Sequence, residues 1–156
     1  MGVSGSGKTT LGKALASFLD CLFLEGDTFH SKRNKDKMKK GIPLNDKDRL
    51  PWLKSINKAL IEQRKSAVVL ACSALKESYR KLLMDQLPID KVVWVALHCE
   101  YALLEQRMKS RTHFMPVSLL KSQLKTLEPL QNAIQLNSSQ SVDKLITQLK
   151  PYLNEK

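Results

Sequence analysis

A glycine-rich loop near the start of the chain has the residue types and spacing that bind phosphate. Residues 2–9 read Gly-Val-Ser-Gly-Ser-Gly-Lys-Thr and match the pattern G-x-x-x-x-G-K-[ST] in full. Glycines let backbone N–H groups turn toward phosphate oxygens, and the positive end of the following helix adds to the attraction. Lys8 is expected to reach the β- and γ-phosphates of a nucleotide and to stabilise transferred charge, and Thr9 to offer its hydroxyl to Mg²⁺. The predicted nucleotide-binding residues are Gly2, Val3, Ser4, Gly5, Ser6, Gly7, Lys8, Thr9 and Thr10.

A second group of polar residues follows the apolar run at 21–24. Ligands of open α/β sheets gather beyond the carboxyl ends of the strands, so Asp27 is expected to face the γ-phosphate. A carboxylate there can accept the proton of an attacking hydroxyl or hold Mg²⁺ through water. The apolar run at 67–72 ends without an aspartate, which makes Asp27 the predicted base and the predicted metal-holding partner of Thr9. The same loop offers two candidate ligands for substrate oxygens, His30 and Arg33.

The elements that must position these residues are visible as alternating patterns along the chain. Apolar runs of strand length alternate with helical patterns, which is typical of a parallel sheet with helices on both faces. The predicted strands are residues 21–24, 67–72, 92–97 and 133–136. Helical spacing of apolar residues predicts amphipathic helices around residues 11–18, 53–60, 104–108 and 142–149. The predicted fold class is therefore α/β.

The sequence supplies no first strand for this sheet. A phosphate loop of this kind normally leaves the carboxyl end of a central strand, but only Met1 precedes Gly2. We therefore expect a hydrophobic strand of about six to ten residues upstream, ending at Met1. A sheet without it would keep unpaired backbone groups in its middle, which is costly. A truncated, inactive nucleotide-binding copy is an alternative that this observation leaves open.

Length and charge set further bounds. The chain has 156 residues and fits one domain spanning 1–156. Its net charge of +11 favours anionic partners, among them phosphorylated metabolites, nucleotides and nucleic acid. Aromatic residues make up only 6%, and zinc-finger spacing is missing, which argues against nucleic-acid binding. No apolar stretch approaches the ~20 residues of a membrane span, and the three cysteines are widely spaced. We expect a cytoplasmic protein that binds neither nucleic acid nor membrane.

The segment at about 29–52 is dense in Lys, Arg, Asn and Asp and is predicted to bind the substrate. Gly41 is expected to end one helix, and Asn45 to cap the next. Pro51 argues against that second helix start, because a proline beyond the first turn forfeits a backbone hydrogen bond.

The chain resembles the gluconate kinase (gluconokinase) family of the shikimate-kinase-like P-loop kinases. The run Gly-Ile-Pro-Leu-Asn-Asp-Lys-Asp-Arg-Leu-Pro-Trp at 41–52 is the most specific part of the likeness. The other similar stretches are 2–9, 26–27, 30, 33–34, 37–38, 71–76, 79–80, 113–116, 119–120, 122–123 and 126–129. The resemblance implies a P-loop NTPase fold and phosphoryl transfer from ATP, with Mg²⁺, to D-gluconate, giving 6-phospho-D-gluconate. Dimers are usual in that family, so a homodimer is an open expectation.

The resemblance also implies roles for individual side chains. A polyhydroxy acid needs cations for its carboxylate, and these are expected from Arg49, Lys76 and Arg80. Hydrogen bonds to the hydroxyl groups of the substrate are expected from Asp27, His30, Arg33 and Asp46.

Two further arginines fall in a segment at about 107–118 that resembles the lid of such kinases. A lid closes on the triphosphate and excludes water, so Arg107 is expected to bind nucleotide and Arg111 to act in catalysis. The sequence departs from the family here, because the glycine usual before the His-Phe pair at 113–114 is missing and the segment is one residue shorter. Another small-molecule P-loop kinase, shikimate-kinase-like, is the alternative, although the run at 41–52 argues against it.

Overall fold

The computed structural model describes residues 1–110 and 116–153. Helices and short strands alternate along them in the order α1 (Lys8–Phe18), β1 (Leu22–Glu25), α2 (Lys32–Lys39), α3 (Asp46–Glu62), β2 (Val68–Ala71), α4 (Glu77–Leu83), β3 (Val95–His98), α5 (Tyr101–Lys109), α6 (Ser118–Thr126), β4 (Ile134–Asn137) and α7 (Val142–Leu153). A 3₁₀ turn follows β1 at Gly26–Phe29, and another precedes β3 at Ile89–Lys91. The predicted α/β class is confirmed.

Strand β3 begins three residues later than the apolar run at 92–97 predicts. Its partner β4 is only four residues long, and their register starts with Val95 opposite Ile134. The Ile134 amide donates to the carbonyl oxygen of Trp94 at 2.8 Å, and the paired residues of the two strands begin with Val95 and Ile134. Val92 ends the preceding 3₁₀ turn, so residues 92–94 approach the sheet rather than join it.

The first two residues lie between two pairs of parallel strands, β1 with β2 and β3 with β4. The amide of Leu97 donates to the carbonyl oxygen of Met1 at 2.9 Å, and the Met1 amino group donates to the carbonyl oxygen of Val95. On the other side, the Gly2 amide donates to the carbonyl oxygen of Ser73 at 3.2 Å. The glycine-rich loop therefore leaves the middle of the parallel array, at the position where a central strand is expected to end.

Two apolar clusters cover opposite faces of the strands. Successive strand residues point to opposite faces, and Val69 packs in one cluster while Leu70 packs in the other. The first cluster joins α1 and α7 to β3 and β4 through Leu11, Leu15, Leu97, Leu136, Leu145 and Leu149. The second joins α3, α4, α5 and α6 through residues that include Leu53, Ile56, Leu83, Leu104 and Leu120. None of the helices within 1–110 and 116–153 combines the length and apolar character of a membrane span.

The predicted helix end at Gly41 is confirmed. Gly41 has a φ of +72°, in the left-handed region that glycine enters at little cost. Its amide donates to the carbonyl oxygen of Met38, and the Ile42 amide donates to that of Lys37, both at 3.0 Å. These two bonds form a Schellman motif, which satisfies the last carbonyls of α2 and turns the chain toward α3.

The predicted cap at Asn45 is also confirmed. The expectation that Pro51 argues against a helix start here is wrong. The Asn45 side chain accepts the Asp48 amide at 2.9 Å, and the Asp48 carboxylate accepts the Asn45 amide at 3.1 Å. This capping box starts α3, which runs on through Pro51. Proline removes one backbone hydrogen bond, and the burial of Trp52 and Leu53 immediately after it offsets that loss.

Candidate active site

The glycine-rich loop forms a tight backbone turn whose shape fits a phosphate group. Gly5 has a φ of +80°, and a Cβ there would lie 2.9 Å from the carbonyl oxygen of Leu104, so a larger residue does not fit. The Lys8 Nζ donates to the carbonyl oxygen of Val3 at 2.9 Å, which holds the lysine across the loop. The Ser6 hydroxyl is buried without a hydrogen-bond partner among the described residues. A loop of this shape at the start of α1 suits an anion.

Thr9 is bonded to a carboxylate outside the predicted set of site residues. Its hydroxyl donates to Glu25 Oε2 at 2.6 Å, and Glu25 is the last residue of β1. The joint binding of a metal by Thr9 and Asp27 stays a prediction. An acidic residue at the carboxyl end of a strand beside a phosphate loop is the signal that points to Glu25. The Thr9 hydroxyl and the Glu25 carboxylate are oxygen ligands of the kind that Mg²⁺ prefers.

A cleft opens beside this loop and joins it to the substrate segment. It is lined by Ser4, Lys8, Asp27, His30, Met38, Pro43, Leu44, Arg49, Trp52, Ser73, Leu75, Leu119, Ser122 and Gln123. Of the predicted site residues, the cleft brings together Ser4, Lys8, Asp27, His30 and Arg49. Residues of the phosphate loop and residues of the predicted substrate segment thus line the same cleft. A reaction that transfers a group between two bound molecules requires such proximity.

His30 is held in the cleft as a buried, neutral ring. It stacks on Trp52 with ring centroids 4.2 Å apart and an interplanar angle of 14°. Trp52 is fixed in turn, since its Nε1 donates to the carbonyl oxygen of Gly26 at 2.7 Å. Burial lowers the pKa of His30 to about 4, although the charge of Asp27 acts in the opposite direction. The buried His30 Nδ1 has no hydrogen-bond partner among the described residues.

Three predicted substrate-binding residues meet around the buried ring of Tyr79. The Arg49 Nη1 donates to the Tyr79 hydroxyl at 3.1 Å, and that hydroxyl donates to the Asp46 carboxylate. Lys76 Nζ donates to both Asp46 oxygens, at 3.0 and 3.1 Å. The Arg49 guanidinium and the Lys76 ammonium lie 5.5 and 5.4 Å from the ring centroid of Tyr79. Tyr79 belongs to the stretch at 79–80 that resembles the family and had no predicted role of its own.

The hydrogen bonds within this group change the acidity of its members. The hydrogen bond from Tyr79, and next that from Lys76, holds the pKa of Asp46 below its usual value. The hydrogen bond to Asp46 raises the pKa of Lys76. The pKa of Tyr79 is also raised, mainly by burial and to a smaller extent by its hydrogen bond to Asp46. The cluster is therefore a charged carboxylate held by an ammonium and a neutral phenol.

Arg80 is not among the residues that line the cleft, and its expected role in substrate binding stays a prediction. Its guanidinium is buried, and Nη1 donates to the carbonyl oxygens of Ala74, Leu75 and Glu128 at 3.0, 3.3 and 3.2 Å. These carbonyls hold Nη1 against the chain around α4, whereas Nε is buried without a hydrogen-bond partner among the described residues. Arg33 is exposed on α2 and does not line the cleft either.

Both helices that flank residues 111–115 contact the phosphate loop. On α5, the Arg107 guanidinium donates to the carbonyl oxygen of Gly5 at 3.4 Å and to that of Ser138 at 2.7 Å. On α6, the Gln123 Oε1 accepts the Ser4 amide at 2.7 Å. Gln123 belongs to the stretch at 122–123 that resembles the family and had no predicted role of its own. Thr10 is exposed on α1, and Arg111 lies outside the described residues.

Comparison with known proteins assigns the chain to a family. A family profile described as an AAA domain matches residues 1–130. A probable gluconokinase of Dictyostelium discoideum is 44% identical over 167 residues, an alignment that covers 98% of this chain and 84% of that protein. This chain belongs to the gluconokinase family.

Solved structures agree with that family and with its P-loop kinase fold. A gluconokinase from Sinorhizobium meliloti 1021 superposes with a TM-score of 0.83 at 39% identity, over 100% of this chain and 95% of that one. An unliganded sugar kinase from Janibacter sp. HTCC2649 gives a TM-score of 0.89 at 40% identity, over 99% and 91% of the two chains. The gluconokinase family thus accounts for nearly the full length of the chain.

Proposed function

We propose that this protein transfers the γ-phosphoryl group of ATP to the 6-hydroxyl of D-gluconate, giving 6-phospho-D-gluconate and ADP. The observation that carries the proposal is the shared cleft, in which Ser4 and Lys8 of the phosphate loop face the same space as Asp27, His30 and Arg49. The gluconokinase relatives at 44% identity and the gluconokinase structure at a TM-score of 0.83 support it.

The nucleotide side of the cleft uses the loop and its neighbours. The backbone amides of the loop and the Lys8 ammonium would bind the phosphates, and Thr9 would hold Mg²⁺ with help from Glu25 or Asp27. When bound, Mg²⁺ supplies neutralisation of the phosphate charge. Arg107 already contacts the loop at Gly5, so it lies close to where a nucleotide would sit. We assign Arg111 and the lid segment at about 107–118 to closure over the triphosphate.

The acceptor side of the cleft would bind and activate the sugar acid. Asp27 would accept the proton of the 6-hydroxyl as its oxygen attacks the γ-phosphorus and the bond to the departing ADP oxygen breaks. The neutral ring of His30 would bind substrate hydroxyls, and the Arg49 guanidinium would bind the carboxylate. The substrate segment at about 29–52 supplies most of these groups, with Arg33 at its exposed edge.

A turnover assay with a panel of acceptors tests this function. The protein is incubated with ATP and Mg²⁺ together with D-gluconate, other sugar acids or shikimate, and ADP release is followed while ³¹P NMR identifies the product. We expect D-gluconate to be the preferred acceptor. Lys8→Ala should abolish turnover and leave the fold intact, whereas Lys13→Ala, which alters an exposed lysine on the same helix, should not. Preference for shikimate, or equal rates in the Lys8 variant, would reject the assignment.

A further inference from the structure

The cluster around Tyr79 contains one carboxylate where the proposed substrate would bring another. Asp46 receives hydrogen bonds from Lys76 and from Tyr79, and Arg49 lies on the other side of the same phenol. Arg49 also lines the cleft. Lys76 and Arg49 are the cations assigned to the carboxylate of the substrate. In the protein without substrate, the Asp46 carboxylate is thus bonded to Lys76 and lies beside Arg49.

We infer that Asp46 occupies the subsite for the substrate carboxylate and that gluconate binds by displacing it. The inference rests on the proposed function and gives Asp46 a different role from the direct hydrogen bond to a substrate hydroxyl that the sequence predicts. After the exchange, the gluconate carboxylate takes the hydrogen bonds of Lys76 and Tyr79 and lies beside Arg49. Asp46 turns toward solvent.

Displacement of Asp46 costs little because of its place in the fold. Its side chain is 65% exposed, so a small rotation returns the carboxylate to water. Asp46 is also the first residue of α3, where the positive end of the helix stabilises a negative charge even without Lys76. The cap of α3 is made by Asn45 and Asp48 and does not depend on Asp46.

Only a ligand with a carboxylate can take part in the exchange. A ligand that lacks a carboxylate offers only weaker, uncharged acceptors in place of the Asp46 carboxylate. Such a ligand leaves the Asp46–Lys76 ion pair intact and gains nothing from the two cations. The Asp46 carboxylate therefore competes with an anionic ligand and leaves the binding of an uncharged one unaffected.

Direct binding measurements on Asp46→Asn test the inference, because the two roles for Asp46 predict opposite signs. Calorimetric titration compares the dissociation constants of D-gluconate and of its uncharged amide, gluconamide. Removal of a competing, partly exposed carboxylate should tighten gluconate binding by about two- to fivefold, with gluconamide binding unchanged. Asp46→Glu keeps a carboxylate and should bind gluconate like the parent protein.

Asp36→Asn is the matched control for charge, since it removes a carboxylate from the exposed side of α2, away from Lys76 and Tyr79. It should change neither affinity. Weaker or unchanged gluconate binding in Asp46→Asn would overturn the inference, as would equal tightening in Asp36→Asn or for gluconamide. The parent protein is assayed first for gluconate turnover, so failure of the proposed function is seen separately from failure of the exchange.

Discussion

The hydroxyl of Thr9 donates a 2.6 Å hydrogen bond to the carboxylate of Glu25. This bond ties the first turn of α1, which carries the phosphate loop, to the carboxyl end of β1, which leads into Asp27. The nucleotide side and the acceptor side of the cleft are therefore aligned through one side-chain contact. It also fixes the rotamer of the residue expected to hold the metal.

Loss of this contact should weaken metal-dependent turnover. We expect Glu25→Ala to lower kcat about 10- to 100-fold and to raise the Mg²⁺ concentration that gives half the maximal rate, because Thr9 loses the group that orients it. Steady-state rates measured over a Mg²⁺ series check this. Glu25→Gln keeps an acceptor for the Thr9 hydroxyl and should retain more activity than Glu25→Ala. Equal Mg²⁺ dependence in all three proteins would show that the contact is structural only.

Asp27→Asn should reduce the chemical step. If Asp27 accepts the proton of the 6-hydroxyl, kcat should fall by roughly 10²-fold or more, with little change in the KM for gluconate. Asp20→Asn, at the exposed turn before β1, is the control with the same change in charge. Unchanged kcat in the Asp27 variant would reduce this aspartate to a turn residue.

Two arginines on neighbouring helices should respond in different ways. Arg49→Ala removes a cation from the cleft and should raise the KM for gluconate about 10- to 100-fold while sparing ATP affinity.

Arg80→Met leaves three backbone carbonyls without their buried donor and should lower the free energy of unfolding by about 2–4 kcal/mol. Kinetics and urea unfolding on both variants separate the roles. An Arg80→Met protein that is as stable as the parent protein but has a raised KM for gluconate would show that Arg80 binds the substrate.

Buried His30 should make stability depend on pH in a defined interval. Its pKa falls from the ordinary 6.5 to about 4, so between these values the unfolded chain takes up a proton that the folded chain does not. The free energy of unfolding should therefore decrease as the pH falls from 6.5 toward about 4, and this contribution should be constant above 6.5.

The measurement is urea unfolding across that pH interval, comparing the parent protein with His30→Gln. The variant should lose the part of the pH slope that comes from this group. His98→Gln, which alters an exposed histidine at the end of β3, should keep it. The same slope in His30→Gln and the parent protein would contradict the neutral, buried state of His30.

The parts of the site that depend on local sequence were predictable. The loop at 2–9, the cap at Asn45 and the turn at Gly41 are each specified within a few residues, and all three form as expected. The cleft also contains Lys8, Asp27, His30 and Arg49, because parallel strands bring their carboxyl ends to one edge. Pro51 was misjudged because the apolar burial that follows it is a tertiary effect.

The parts that depend on packing between distant segments were not predictable. Glu25 has a local signal in its place at the end of β1, but its bond to Thr9, 16 residues away on another element, depends on packing. The contacts of Arg80 with backbone carbonyls were not foreseen, because an arginine fits both an anion site and a set of buried carbonyls and the packing of α4 sets its surroundings. Tyr79 is central for a similar reason, since its partners Arg49 and Asp46 are brought to it by the contact of α3 with α4.

The stacking of Trp52 on His30 gives the cleft a built-in spectroscopic probe. Trp52 is 3% exposed, and its indole lies against an imidazole that also lines the cleft. Any ligand that shifts this imidazole alters the surroundings of the indole, so intrinsic fluorescence follows occupancy without a label. Trp94 is the other tryptophan of the chain and is partly buried beside β3. A Trp94→Phe background therefore isolates the emission of Trp52, and substrate binding becomes measurable on the timescale of a stopped-flow mixing experiment.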